Sequence, residues 1–268
     1  MKAVISLSRR TEPYFYAEKL STILTSRYPP ERVHTVVVWT KFPETVLVRL
    51  RPVLKSYTQV YVHLTITGLG GTAVEPHVPP PEKVLVQIPA LIDFLGDPRR
   101  LRVRPDPLLT LERKGERLSN FKVAETIIRE AIATGVKTFS TSFVALYPKV
   151  QRRLERLGWE AIPLDRGKRR RLWEKLTRIA AANGATLYAC CVPDLPLARC
   201  IDGALLTELH PTGETCRLDK AQGQRPQCGC THSVDLGWYT MPCPSGCLYC
   251  YANPHVTGSG NRRLHSLT

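Results

Sequence analysis

Seven short runs of β-forming residues recur along this chain, each separated from the next by a stretch with helical periodicity. The runs lie at residues 3–8, 35–39, 60–67, 101–104, 138–143, 186–191 and 236–241. Helical spacing of apolar residues occupies 14–28, 44–57, 82–96, 120–134, 146–157 and 166–183. Strands joined through helices cross over right-handedly and build a parallel sheet. That sheet is either doubly wound or a TIM-like complete or partial (β/α) barrel, and about seven strands favour the barrel. Residues 206–234 break the rhythm with Gly, Pro, Gln and charge, so an irregular excursion is expected there. The whole of 1–268 reads as a single α/β domain, with 186–254 a cysteine-rich metal-cluster region inside it.

Parallel α/β folds carry their chemistry at the carboxyl ends of the strands, so the residues just past each run are the first candidates. Ser8, Arg9, Arg10 and Thr11 follow the first run, and Thr40 and Lys41 the second. Thr65 and Thr67 end the third, Arg104 and Asp106 the fourth, Ser140 and Ser142 the fifth. Cys190 and Cys191 end the sixth, and a loop beginning near Cys243 follows the seventh. Loops carry polar residues in any fold. Adjacent arginines after an apolar strand and cysteines at another strand end are less ordinary, and they point to one site. Its candidate catalytic residues are Arg9, Arg10, Lys41, Arg104 and Asp106.

The first 189 residues hold no cysteine, and nine then fall between Cys190 and Cys250. Chance burial of thiols would not cluster them so. An odd count without an export signal argues against a disulfide framework and for metal or redox chemistry in a reducing compartment. The start places a short apolar run before Arg9 and Arg10, the reverse of a secretory or twin-arginine signal, and no apolar run approaches the roughly 18 residues of a membrane span. A cytoplasmic protein with no membrane partner is expected.

Within the cluster, Cys243-Pro-Ser-Gly-Cys247-Leu-Tyr-Cys250 spaces three cysteines as C-x3-C-x2-C, with Tyr249 just before the third. Three thiolates on one compact loop can hold three irons of a 4Fe–4S cube and leave the fourth open. The segment resembles the cluster motif of the radical S-adenosylmethionine (SAM) superfamily. That resemblance implies that the open iron binds SAM, that reductive cleavage of its sulfonium gives a 5′-deoxyadenosyl radical, and that an electron donor such as ferredoxin or flavodoxin is a partner. Structural zinc is the main alternative, and it would need a fourth ligand such as Cys228, Cys230 or His255. Upstream, Cys190, Cys200, Cys228 and Cys230 could make a closed four-thiolate site, suited to a second 4Fe–4S cluster or a zinc ion. Cys191 and Cys216 read as buried free thiols.

The chain as a whole also resembles an uncharacterised domain-of-unknown-function family whose C-terminal cysteines look like the radical SAM motif. The likeness runs through Ser8-Arg9-Arg10-Thr11-Glu12-Pro13, Trp39-Thr40-Lys41, Glu75-Pro76, Arg104 with Asp106-Pro107, and Cys200-Ile201-Asp202. It continues through Cys228-Gly229-Cys230, Asp235, Gly237, Tyr239 and Gly246 to Asn253. Radical SAM proteins normally carry the cysteine loop after the first barrel strand, whereas here it follows the last. A circularly permuted radical SAM barrel would reconcile the two. The strand ending at Ser8 would then be the ordinary second strand, whose end often carries a Gly-Gly-Glu motif for the SAM amino group. No glycine pair stands there. Glu12 is the acidic candidate, and with Tyr249 it makes up the expected cofactor-binding set. A carboxylate at a helix start serves equally as a partner for the helix dipole.

Lys and Arg number 38 against 23 Asp and Glu, a net charge of +15 that favours anionic partners. The run Arg166-Gly167-Lys168-Arg169-Arg170-Arg171, with Arg152, Arg153 and Arg156, is compatible with a nucleic-acid substrate and is more readily explained as a solvated helix face. Two functions stay open from the residues alone: a radical SAM enzyme of unknown substrate, and a non-enzymatic iron–sulfur or zinc module that binds nucleic acid or senses redox state.

Overall fold

The computed structural model describes residues 1–256. Among these residues ten strands occur in chain order: β1 (Ala3–Leu7), β2 (Val33–Thr40), β3 (Val60–Thr65), β4 (Leu101–Arg104), β5 (Thr110–Arg113), β6 (Glu116–Ser119), β7 (Thr138–Thr141), β8 (Glu160–Ala161), β9 (Thr186–Ala189) and β10 (Val234–Leu236). The helices are α1 (Ala17–Arg27), α2 (Arg51–Leu54), α3 (Pro81–Leu85), α4 (Ile88–Leu95), α5 (Phe121–Ala133), α6 (Pro148–Arg156), α7 (Arg166–Ala181) and α8 (Gly203–Glu208). None of the described helices is long and apolar enough to cross a membrane.

Six of the seven predicted runs become strands of one parallel sheet, and the seventh meets its remaining strand only at Leu236; the order is β10-β1-β2-β3-β4-β7-β9. No pairing among the described residues joins β9 to β10, so hydrogen bonds do not close the sheet into a complete barrel. The last strand lies earlier than the predicted 236–241. Gly237 adopts φ +124°, and a Cβ there would stand 2.0 Å from Ser8 Oγ, so the chain turns away as soon as it reaches the end of β1. The predicted helix 82–96 is two helices, α3 and α4, because Pro89 allows a fresh start but no continuation. Residues 44–57 open with a π turn, Thr45–Arg49, before the short α2, in which Pro52 takes an early position. A small antiparallel sheet, β6-β5-β8, and the helix α8 form where the sequence carries no periodic signal, because the strands are too short and polar to show alternation.

Period-2 alternation gives the large sheet two different faces. Ile5, Leu7, Val36, Val38, Val62, Leu64, Val103, Phe139 and Leu187 meet Leu20, Leu24, Leu54, Leu91, Ile127, Ile128 and Leu176 of the helices in one apolar core. Each such aliphatic side chain contributes about 1.5–3 kcal/mol on burial, so this face supplies most of the stability. The opposite face carries Ser6, Trp39, Tyr61, His63 and Arg102, all buried, beside Val4 and Val37. It is covered by the segment that follows β9. His63 Nε2 lies 2.8 Å from the Cys200 carbonyl, Arg102 donates to the Arg199 carbonyl at 2.7 Å, and Gln59 donates to the Leu206 carbonyl at 2.9 Å. Polar strand residues thus pair with the backbone of an irregular strap, which a buried polar face requires.

Candidate active site

The carboxyl ends of the parallel strands open into a cavity of about 550 Å³. Arg9, Arg10, Glu12, Lys41, Arg104, Asp106, Tyr249, Cys243, Cys247, Cys250, Cys190, Cys200, Cys228 and Cys230 all line it, whereas Thr67, Ser140, Cys216, His255 and the basic run at 166–171 do not.

The C-terminal loop starts seven residues past β10. Its shape is set by the backbone: Cys243 N–H donates to the Asn253 carbonyl at 2.7 Å, His255 N–H donates back to the Cys243 carbonyl at 2.8 Å, and Gly246 turns the chain at φ +68°. Cys247, Leu248 and Tyr249 sit in an apolar cradle with Leu69, Val74, Leu111, Val150, Leu154 and Trp159. Leu248 N–H reaches the Val74 carbonyl at 3.0 Å, and the Arg153 guanidinium donates to the carbonyls of Leu248 and Cys250 at 2.9 and 2.7 Å. Arg153 is therefore a clamp on the cysteine loop and drops out of the basic face grouped with it in the sequence. The three cysteines are free thiols, two buried and Cys250 partly so. Burial first, then the carboxylate of Glu75, push the Cys247 thiol well above its ordinary range against the opposing charge of Lys41.

Beneath this loop lies a buried charged group drawn from residues far apart in the sequence. The Lys41 ammonium donates to Glu75 Oε1 at 2.8 Å and to the Tyr249 hydroxyl at 3.1 Å. Tyr249 in turn donates to the same carboxylate, and Thr67 donates to Glu75 Oε2 at 2.6 Å. Burial alone would lower the Lys41 pKa, but Glu75 and then Cys247 outweigh it and leave it raised. Glu75 is wholly buried. Its only sequence signal was its place in the Glu75-Pro76 pair.

Glu12 is also engaged by its own chain. Oε1 accepts from Thr40 Oγ1 at 2.5 Å and from Tyr14 N–H at 3.3 Å, capping the 3-10 turn Pro13–Tyr16, and Oε2 accepts from Lys41 N–H at 2.9 Å. Burial outweighs these bonds and raises its pKa to about 7. Arg9 forks onto Asp235 of β10 at 2.8–3.2 Å, tying the end of β1 to the neighbouring strand, and Arg10 approaches the same carboxylate at 3.5 Å. Arg104 pairs with Asp106 at 2.6 Å, and Asp106 accepts from Ser142 at 2.5 Å. Burial opposes the Arg104 charge, yet Asp106 and the thiols of Cys200 and Cys190 raise its pKa.

On the facing wall are the remaining cysteines. Cys190 and Cys200 sulfurs stand 3.3 Å apart. Cys230 adjoins Cys200 and Cys228, and Cys228 adjoins Cys191. Cys191, expected to be a separate buried thiol, is a partly exposed member of this group and also adjoins Cys190. Cys216 does stand apart, its thiol donating to the Gly203 carbonyl at 3.1 Å. The Cys230 sulfur accepts from its cysteine neighbours and from Ile201 N–H, which lowers its pKa to about 2. As they stand, no three His, Cys, Asp or Glu side chains among the described residues are grouped to hold a metal ion.

No curated protein matches the sequence. A family model described as a domain of unknown function, DUF1848, matches residues 10–252, which include every candidate residue except Arg9. With nearly its whole length covered, the chain belongs to the DUF1848 family.

Proposed function

We propose that this protein is a radical SAM enzyme in which Cys243, Cys247 and Cys250 hold a 4Fe–4S cluster. The observation that carries the reading is the position of the loop: three free cysteines spaced C-x3-C-x2-C, past β10, on the wall of the cavity at the strand ends. The strand order supports a permuted partial barrel, because with β10 taken first each strand neighbours the next through β1, β2, β3, β4, β7 and β9. The donor set suits the group, being three sulfurs within eight residues beside a cavity of the size that takes nucleoside-sized ligands. When bound, cluster and SAM supply reductive cleavage of a sulfonium and, with it, hydrogen abstraction from a substrate.

The chain's own residues hold and shield that chemistry. Lys41 sets a buried positive charge beside Cys247, and Arg153 fixes the loop's carbonyls. Arg9 and Asp235 lock the loop's strand to β1, and Arg104, Asp106 and Ser142 give the substrate a polar wall. The positive charge of the chain suits a nucleic-acid substrate, and a small acidic protein such as ferredoxin or flavodoxin suits the role of electron donor.

The test is anaerobic reconstitution with iron and sulfide, reduction, and assay for 5′-deoxyadenosine and methionine. Turnover of SAM to both is the expected outcome. A reconstituted centre with four protein ligands and no affinity for SAM would overturn the reading and leave a non-enzymatic iron–sulfur or zinc module.

A further inference from the structure

The wall facing the three-cysteine loop carries its own unexplained chemistry. Five sulfurs from three separate chain segments meet there: Cys190 and Cys191 at the end of β9, Cys200 in the strap, and Cys228 and Cys230 just before β10. The Cys190 and Cys200 sulfurs stand 3.3 Å apart, the Cys230 sulfur accepts from Ile201 N–H beside Cys200 at 3.4 Å, and the Cys191 and Cys228 thiols neighbour this group. We propose that this group is a second metal site, in which four of the five thiolates draw together around a thiophilic centre, zinc or iron–sulfur, independently of the C-terminal loop.

Three observations on the backbone argue that the convergence is built. The strap that brings Cys200 to the strand ends is held on the polar sheet face by His63 at the Cys200 carbonyl and Arg102 at the Arg199 carbonyl. Gly229 N–H donates to the Ala198 carbonyl at 3.3 Å and Thr231 N–H to the Ile201 carbonyl at 2.9 Å, which sets the Cys228-Gly229-Cys230 segment alongside Cys200. Cys191 has φ +51°, a left-handed conformation that a non-glycine residue adopts only at some cost, and there the regular strand alternation ends. Four sulfurs about 2.3 Å from one tetrahedral ion stand about 3.8 Å from one another, so the 3.3 Å between Cys190 and Cys200 is within about half an ångström of that spacing. Charge is compatible as well. Arg104, Arg9 and Arg225 face these sulfurs, and four thiolates around a divalent ion carry two net negative charges. Soft thiolate donors select zinc or iron over magnesium, calcium or manganese.

The site can be tested without the first centre. The full-length C243A/C247A/C250A variant, purified without oxygen, is predicted to retain about one zinc or about four irons per chain by elemental analysis. Adding C200S and C230S should remove at least about nine-tenths of that metal, while adding C216S should leave it in place. Should the larger variants fold poorly, cobalt(II) titrated into the metal-stripped triple variant gives a second readout, and intense thiolate-to-cobalt absorption is expected. A folded triple variant that binds neither metal nor cobalt, with its six remaining thiols free or joined as disulfides, would overturn the proposal. Equal metal loss on C216S and on C200S/C230S would overturn it too. Failure of SAM cleavage in the wild type would leave these outcomes untouched.

Discussion

The two cysteine groups share one cavity and are held in opposite ways. The C-terminal group sits on a loop whose backbone is fixed by an apolar cradle, by Arg153 and by carbonyl pairing, while its sulfurs make no hydrogen bonds to one another. The group on the facing wall has one sulfur pair in contact, Cys190 with Cys200 at 3.3 Å, and the strap beneath it hangs on polar side chains of the sheet. A loop fixed through its backbone can leave its sulfurs apart and one cluster position open, which is what a cosubstrate needs. A group fixed by its own sulfurs can be closed, which is what a resident structural or electron-carrying centre needs.

The largest effect should follow from cutting the open group. Cys247→Ala is expected to lower SAM cleavage on the order of a thousandfold or more, while unfolding of the metal-free protein shifts by only about 1 kcal/mol. The apolar core lies on the other face of the sheet and does not depend on this sulfur. Turnover measured at constant iron content decides it, and near-normal cleavage would remove Cys247 from the ligand set.

Next comes the charge beneath the loop. Glu75→Gln leaves Lys41 buried without its nearest carboxylate, and breaking such a pair costs about 3 kcal/mol. Chemical denaturation of the apo protein should show that loss, and the K41M/E75Q double variant should recover part of it. If Glu75→Gln alone is neutral, the group does not anchor the loop.

How far the sequence foretold these regions differs between them. Six of the seven strands of the large sheet were legible because β-branched residues and period-2 burial leave a local mark, and the rim of polar residues followed from strand ends alone. Arg9, Lys41, Arg104 and the C-x3-C-x2-C loop were found in that way. Glu75 was not, since Lys41 and Tyr249 lie 34 and 174 residues away and its near partner Thr67 is an ordinary strand-end threonine. Cys191 was not, because successive strand residues point to opposite faces, and only the left-handed backbone at that residue ends the alternation. Pro89 and Gly237, which divide one helix and shorten one strand, act through chain geometry that periodicity overrides when read alone.

The rim offers a further, pH-dependent comparison. Glu12 has its pKa raised from 4.5 to about 7, so between those values the folded state holds a proton that the unfolded chain has released. Fewer protons on the unfolded state mean that stability falls as pH rises. The favourable contribution is complete below about pH 4.5 and is lost by about pH 7, a swing on the order of 3 kcal/mol. Urea midpoints of the apo protein should decline across this window, and Glu12→Gln, which keeps an oxygen for Lys41 N–H, should flatten the profile. An unchanged slope in that variant would show that another group titrates.

The smallest effect should come from the ninth cysteine. Cys216 is buried and donates to the Gly203 carbonyl, in the strap but away from the cavity. A serine hydroxyl can make the same bond, so Cys216→Ser exchanges only size and polarity in a buried position and should cost about 1 kcal/mol. Metal content and SAM cleavage should both stay at the wild-type level. The contrast with Cys200 is what matters, because both sulfurs are buried in the same strap and differ in what they face. If elemental analysis shows Cys216→Ser losing metal as Cys200→Ser does, burial in the strap is the requirement, and the facing wall is a packed patch of thiols instead of a binding site.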